Sequence, residues 1–284
     1  MNEYGRIERL VLRHARTAFR SQSRLDDCCP GLNYHAIPDF PQALSDYDHF
    51  AGCFSAADIV WLEDDAALTP DAIYVRDAAI PSPRGMILCN MGKPERRAEP
   101  GLHGAAFRRA GICVLGEITG EGYLEGGDFI WLDARTCAVA EGYRTNPEGI
   151  RQLRELLGSD IHVEVVPLPH YKGPADVFHL MSVISPLDHD LALIHSPLMP
   201  VRFRNWLLSR GMTLVEVDPG EFETLGCNVL ALGPRHLLMA EGCDRTADRL
   251  RGAGCRVETY PAEEISRKGE GGPTCLTRPF QRQG

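Results

Sequence analysis

The chain is short of three things that would have narrowed its function at once. None of its ten cysteines, at positions 28, 29, 53, 89, 113, 137, 227, 243, 255 and 275, forms a C-x-x-C pair, so zinc lacks its usual ligand spacing. No apolar run approaches the roughly 20 residues of a membrane span. The opening "MNEYGRIERLVLRHART" lacks the apolar core of a secretory signal. Positive charge is also scarce. The formal net charge of −9 argues against nucleic acid or an anionic membrane as the main partner. The cysteines therefore read as reduced thiols of a cytoplasmic protein, most of them small core hydrophobes. Hydrophobic residues at 44% and charged residues at 24% fit a globular chain, and 284 residues suit one large domain or two small ones.

What is present is an internal repeat. Segment 111–167 reads as a strand (Gly111–Leu115), the turn "GYLEGGD", two strands (Phe129–Leu132 and Thr136–Ala140), a helix (Pro147–Leu157) and the strand "IHVEVVPL". The same order appears in 212–260 as "MTLVEV", "GCNVLALG", "HLLMAEG", the helix "RTADRLRGAG" and "CRVETY". Segment 163–217 repeats it with "VEVVPLP", "HLMSVISP", "DLALIHSP", "VRFRNWLLSRG" and "TLVEV". Segment 58–115 does so with "DIVWLE", "AIYVRDAAI", "GMILCN", a helix near 95–109 and "GICVLG". That gives four copies of a strand–strand–strand–helix unit. A fifth closes across the termini, from "CRVETYP" and "CLTRPF" to "RIERLVLRHA". The alternative is an ordinary α/β sandwich with matching hairpins.

One landmark, the start of the second strand, falls near Asp77, Asp128, His179, Asn228 and Cys275, in steps of 51, 51, 49 and 47 residues. Closed radial repetition brings equivalent positions of every unit around one axis. These five residues are therefore expected to converge, and the rigid tail "GEGGPTCLTRPF" to deliver Cys275 into a central site.

A cysteine, a histidine and several carboxylates suit nucleophilic catalysis. Asp77, Glu125 and Asp128 would hold a cation beside Cys275 and favour its thiolate. His179 would protonate a leaving amine and then deprotonate water. A planar cation held by paired carboxylates is a guanidinium. "GYRTN" and "KPERRAEP" place Arg144 and Arg96, with Arg97, at corresponding blade ends, where a bidentate fork would hold a carboxylate. Taken singly, each residue has a plainer reading: turn formation for Glu125 and Asp128, a core position for His179, an exposed ion pair for Asp77, a solvated helix face for Arg96 and Arg97. The segment "SRLDDCCPGLNY" (23–34) shows no clear period and reads either as a lid or as a surface loop.

Together, "PDAIYVRD" (70–77), "RRAE" (96–99), "LEGGD" (124–128), "GYRTN" (142–146), "HLMS" (179–182) and "GGPTC" (271–275) resemble the guanidino-modifying enzymes, and do so over nearly the whole chain. These are the arginine deiminases, dimethylarginine dimethylaminohydrolases and amidinotransferases. The resemblance implies a five-bladed α/β propeller, the pentein fold, as a single catalytic domain over 1–284. It implies Cys275 as nucleophile, His179 as proton shuttle, Glu125 and Asp77 as guanidinium ligands, and Arg96 and Arg144 as carboxylate ligands. Asp71 matches a substrate-contacting aspartate of the dimethylarginine enzymes. Ring position adds Asp128 and Asn228 to the expected substrate contacts. The implied reaction passes through a covalent S-alkylthiouronium, without metal or cofactor, on a small-molecule guanidino substrate; a homo-oligomer stays open.

Two departures bear on specificity. Where deiminases carry Asp and dimethylarginine enzymes commonly Lys, two residues after the histidine, this chain has Met181. Read as sharing a strand with His179, Met181 is expected to face the substrate and to admit an apolar or bulky substituent. Arg76 matches the deiminases, whereas the missing helical insertion matches the dimethylarginine group. The leading expectation is hydrolysis of an arginine-like guanidine to citrulline and an amine or ammonia. The alternatives are amidino transfer and a binding protein on the same fold, like the ribosome-subunit anti-association factors.

Overall fold

A computed structural model describes residues 1–283. Strand β1 (Ile7–Leu12) is followed by helices α1 (Ala15–Ala18), α2 (Gln22–Cys28) and α3 (Phe40–Gly52), then by β2 (Asp58–Trp61). Four units of one pattern come next. They are β3 (Ala79–Ser82), β4 (Gly85–Leu88), α4 (Glu99–Arg109) and β5 (Val114–Glu117); β6 (Phe129–Asp133), β7 (Thr136–Glu141), α5 (Pro147–Leu157) and β8 (His162–Pro167); β9 (Ile184–Asp188), β10 (Leu191–Ile194), α6 (Val201–Ser209) and β11 (Thr213–Glu216); and β12 (Leu230–Gly233), β13 (His236–Ala240), α7 (Asp244–Gly252) and β14 (Arg256–Tyr260). Strand β15 (Arg278–Arg282) ends the described chain.

In each unit the first two strands form an antiparallel hairpin, and the third pairs in parallel with the second after a helical crossover, as with β6, β7 and β8. β15 pairs antiparallel with β1, and β2 lies parallel to β1, so the fifth sheet is built from both ends of the chain. The result is five three-stranded sheets, a closed α/β propeller. The strand opening each expected copy ("GICVLG", for example) belongs to the preceding sheet as its third strand. The unit is thus strand–strand–helix–strand.

Crossover helices cover the sheets, so the inner strands are buried on both faces and are almost continuously apolar. β9 and β10 are wholly buried, whereas the third strands β2, β5 and β11 are half-buried or exposed. First strands of neighbouring sheets lie against one another, β9 on β12 and β15 on β3. Helix α5 shows how local signals fix the crossovers. Asn146 caps it through a bond from the Gly149 amide, Pro147 opens it, and Ile150, Leu153 and Leu157 form its buried stripe. Gly158 ends it at φ +83°, a conformation that costs a residue with a Cβ.

Three expected elements differ. "AIYVRDAAI" is not one strand: Pro70–Ile73 is a 3-10 turn and β3 begins only at Ala79. "HLMSVISP" opens with a 3-10 turn, Leu180–Ser182, because the Ser182 hydroxyl accepts the His179 amide at 3.1 Å and stops strand pairing there. The aperiodic segment 23–34 is largely helical: Ser21 caps α2 by accepting the Arg24 amide at 3.2 Å. Among the described residues, no helix is long and apolar enough to cross a membrane.

Candidate active site

The loops ahead of the five first strands are tied to one another by a closed circuit of hydrogen bonds. The Arg76 amide donates to the Cys275 carbonyl at 3.1 Å, and the Gly126 amide to the Asp77 carbonyl at 2.9 Å. Asp128 Oδ1 accepts the Leu180 amide at 3.0 Å. The Ser185 hydroxyl donates to the Cys227 carbonyl at 2.8 Å. Asn228 Oδ1 accepts the Thr274 amide at 3.1 Å. Each of the five landmark segments is thereby bonded to the next, the third through Ser185 near the start of β9. The turns need bare backbone at one point: a Cβ on Gly127 would stand 2.6 Å from His179 Nδ1 and 2.8 Å from Asp77 Oδ1.

Within the ring, His179 Nε2 meets Glu125 Oε2 at 2.7 Å. Glu125 also faces Arg144 Nη1 at 3.2 Å and accepts the Lys93 amide at 3.1 Å. Thr145 joins the two neighbouring carboxylates, accepting the Glu125 amide at 3.2 Å and donating to Asp128 Oδ2 at 2.7 Å. Burial opposes charge on Glu125 and His179, but the hydrogen bond between them and the surrounding charges prevail. Glu125 is brought down to about 2 by His179 and then by Arg144 and Arg96. His179 is brought up to about 9 by Asp128, Asp77 and Glu125. Asp128 moves the other way: burial lifts it to about 6 against the pull of His179 and Thr145.

Cys275 is partly exposed at the end of the "GGPTC" turn. Asn228 Nδ2 donates to its Sγ at 3.3 Å. Burial and the charge of Asp77 push its thiol up, while the bonds from Asn228 and Thr274 and the charge of Arg76 pull it back. Asn228 thus bonds to the thiol and, through Oδ1, to the Thr274 amide and hydroxyl, the latter at 2.8 Å.

Arg96 sits inside a cage. Its Nη1 donates to Asp77 Oδ2 at 2.6 Å, Nε and Nη2 grip Glu99 at 2.8 and 2.7 Å, and Nη2 also reaches the Tyr74 carbonyl at 2.7 Å. Arg97 points elsewhere, over the ring of Tyr123. Asp71 is paired with Lys93 Nζ at 2.6 Å, and the same ammonium reaches the Leu32 carbonyl at 3.2 Å. Lys93, Glu99, Thr145 and Thr274 are partners that the sequence reading missed, although all four lie within or beside the quoted motifs. Arg76 is buried with Nη2 on Glu3 at 2.8 Å. Met181 lies in the 3-10 turn rather than on a strand with His179, so alternation does not explain its position. It packs into the core beside Leu180 and Ile184 and also reaches a cavity wall.

Cys275 and His179 border two cavities. One, of ≈ 30 Å³, is lined by Asp71, Asp77, Lys93, Arg96 and Arg144, together with Leu32 and Asn33 of the 23–34 segment. The other, of ≈ 320 Å³, lies on the Met181 side. Asp77, Glu125 and His179 bring possible metal-ligand atoms within 4.8 Å of one another. Those groups are already engaged, Asp77 by Arg96 and the Gly127 amide, and Glu125 by His179 and Arg144.

A cysteine, a histidine and clamped carboxylates at the axis of a five-bladed α/β propeller define a guanidino-modifying enzyme of the pentein class. The arginine deiminase family model matches residues 67–210. An N(G),N(G)-dimethylarginine dimethylaminohydrolase of Streptomyces coelicolor is 30% identical over 240 residues, covering 84% of this chain and 86% of that protein. The dimethylarginine dimethylaminohydrolase of Pseudomonas aeruginosa, solved as a cysteine-to-serine variant complexed with citrulline, superposes with TM-score 0.76 at 23% identity over 96% of this chain and 98% of its own. The N-terminal domain of the cyanobacterial arginine dihydrolase ArgZ, bound to product, gives 0.79 at 18% identity over 98% of each chain. At such identities these two structures speak for the fold. The chain belongs to the arginine deiminase family. It is a hydrolase of C–N bonds in linear amidines, the cysteine-dependent class that this family comprises.

Proposed function

We propose that the chain acts as a single catalytic domain that cleaves the distal C–N bond of an arginine-like guanidine, giving citrulline and an amine or ammonia. The observation that carries the assignment of roles is that Cys275 and His179 border one small cavity with Asp71, Asp77 and Arg144. The guanidinium lies against Asp77 and Glu125, whose charges localise its positive charge and make its carbon electrophilic. Its cationic charge favours loss of the Cys275 thiol proton to solvent, giving the thiolate that burial otherwise disfavours.

The thiolate then forms a bond to the guanidinium carbon. The distal C–N bond breaks as His179 gives its proton to the leaving nitrogen. His179 is suited to this because the carboxylates around it keep it protonated at neutral pH. Neutral His179 next takes a proton from water, the hydroxide adds to the thiouronium carbon, and the C–S bond breaks to restore the thiolate and leave a ureido product. Asn228 steadies the thiolate through its Nδ2 bond. Arg144 supplies positive charge for an α-carboxylate; Arg96, expected from the resemblance to share that part, has its guanidinium taken up by Asp77, Glu99 and the Tyr74 carbonyl and instead holds Asp77 in place, while Lys93 adds a positive charge beside Asp71.

Incubation with arginine, Nω-methylarginine, Nω,Nω-dimethylarginine, agmatine and citrulline, with products identified by mass, tests this reading. Citrulline from at least one of the first three supports it. No turnover of any of them, together with no labelling of Cys275 by a haloacetamidine, contradicts it.

A further inference from the structure

Cys275 and His179 face two cavities of unlike size and character. The narrow one, ≈ 30 Å³, is walled by ionisable side chains. The wide one, ≈ 320 Å³, falls among the pockets of about 300–1,000 Å³ that hold drug-sized ligands. Asp71, Lys93 and Arg144, the groups placed at the amino-acid end of the substrate, line the narrow cavity and not the wide one, which is left for what the leaving nitrogen carries.

Its walls say what would fill it. Phe178 packs against Tyr171 with centroids 5.5 Å apart, and Tyr171 meets Phe222 edge-on at 6.4 Å. These three rings, with Leu225 and Met181, make an aromatic and aliphatic lining. Met181 is only 4% exposed and so lies at the inner end. Charged groups line this side as well; among them Lys172 Nζ bonds Glu223 at 2.6 Å, and their side chains are 45% and 55% exposed. Apolar burial and ring stacking would both favour an apolar group lying along these rings.

The chemistry fixes which part of the substrate points there. His179 protonates the nitrogen that leaves, so that nitrogen and whatever it carries lie on the His179 side of the guanidinium carbon. Phe178, His179 and Met181 form one stretch of the wide cavity's wall. The amino-acid end belongs with Arg144 and Lys93 in the narrow cavity.

We infer that the wide cavity is a subsite for a large apolar group, aryl or alkyl, on the leaving nitrogen. The preferred substrate class is then an Nω-substituted arginine bearing more than a methyl, and the second product is the corresponding primary amine. The inference rests on the roles given above to Cys275 and His179. The bond broken is the one between the guanidinium carbon and the substituted nitrogen. That nitrogen takes its proton from His179, and water supplies the oxygen of citrulline.

The experiment compares kcat/KM for arginine and for its Nω-methyl, Nω-propyl and Nω-benzyl derivatives, in the wild type and in Leu225→Trp, reading citrulline and the released amine. In the wild type, kcat/KM should rise about fourfold for each added buried methylene and be about tenfold or more higher for benzyl than for methyl. Leu225→Trp, which narrows the wide cavity alone, should cut the benzyl-to-methyl ratio about tenfold. The wild-type series decides the matter even if the tryptophan variant does not fold, and Leu225→Phe reads the same ratio with a smaller change. If arginine or its methyl derivative is cleaved while kcat/KM falls with every larger group, the subsite is wrong and the hydrolase reading stands. If nothing in the series is cleaved, both fall together.

Discussion

His179 Nε2 lies 2.7 Å from Glu125 Oε2, and both side chains are buried. The pair makes stability depend on pH in a defined direction. His179 is raised to about 9, so its contribution is complete below the ordinary histidine value of about 6.5 and is lost as pH rises through 9. Glu125 is lowered, so its contribution is present above the ordinary glutamate value of about 4.3 and is lost on acidification towards 2. The urea midpoint of the wild type should exceed that of Glu125→Gln most between about pH 5 and 6.5. The gap should narrow steadily towards pH 9. A gap independent of pH would mean that the pair is not ionised as described.

Asp128 is the strongest of the charges that keep His179 protonated. Asp128→Asn removes that charge but keeps the shape, since an amide can still accept the Leu180 amide and meet Thr145. The alkaline limb of the kcat/KM profile should therefore move to lower pH than in the wild type, where His179 loses its proton near 9. An unmoved limb, with kcat/KM lowered uniformly, would give Asp128 a merely structural part.

Asn228 and Cys275 form a second testable pair. The free thiol is pushed up by burial and Asp77, so alkylation by neutral iodoacetamide should show a midpoint above that of an ordinary cysteine, about 8.5. Asn228→Ala deletes the bond to Sγ, and the midpoint should rise further. Tryptic mapping of the alkylated site assigns the reaction to Cys275 and separates it from the other nine cysteines. A midpoint that falls in the variant would contradict the stabilising part given to Asn228.

Arg96 and Arg97 should part sharply. Arg96→Ala leaves Asp77 and Glu99 buried without their cation, which should cost about 3–5 kcal/mol in chemical denaturation. Arg96→Lys should recover only part of this, because an ammonium cannot grip Glu99 through two parallel bonds. Arg97→Ala, which loses only a stacking contact on Tyr123, should stay within about 0.5 kcal/mol of the wild type. Equal losses at the two positions would refute the cage.

The repeat was legible because its period is carried by apolar strands and capped helices. Signals such as Asn146 with Pro147, or the run "LALI", are local and survive in one sequence. The convergence of Asp77, Asp128, His179, Asn228 and Cys275 followed from that period. The 3-10 turns before β3 and β9 were not legible. "AIYVRDAAI" has strand composition, and what turns it is a bond between Asp77 and Gly126, 49 residues apart. The pairing of Lys93 with Asp71 was hidden for the same reason, its partner lying 22 residues back. Arg76 finds Glu3 across 73 residues, a contact made only once the termini close the fifth sheet. Met181 was placed at the pocket by strand alternation that does not exist there. The division of the site into a narrow cavity and a wide one depends on loop packing that no periodicity records.

The turnover rate of Cys275→Ser, read with labelled water, tests the role of Cys275 most directly. Wild type and Cys275→Ser are each incubated with Nω-methylarginine in ¹⁸O water, and the citrulline is examined by mass spectrometry. The expected result is citrulline carrying one ¹⁸O in its ureido group, an equal amount of methylamine, and a rate in the serine variant lower by several orders of magnitude, since a hydroxyl is a far weaker nucleophile at neutral pH. Labelled citrulline formed by Cys275→Ser at the wild-type rate would show that the thiol is not the nucleophile.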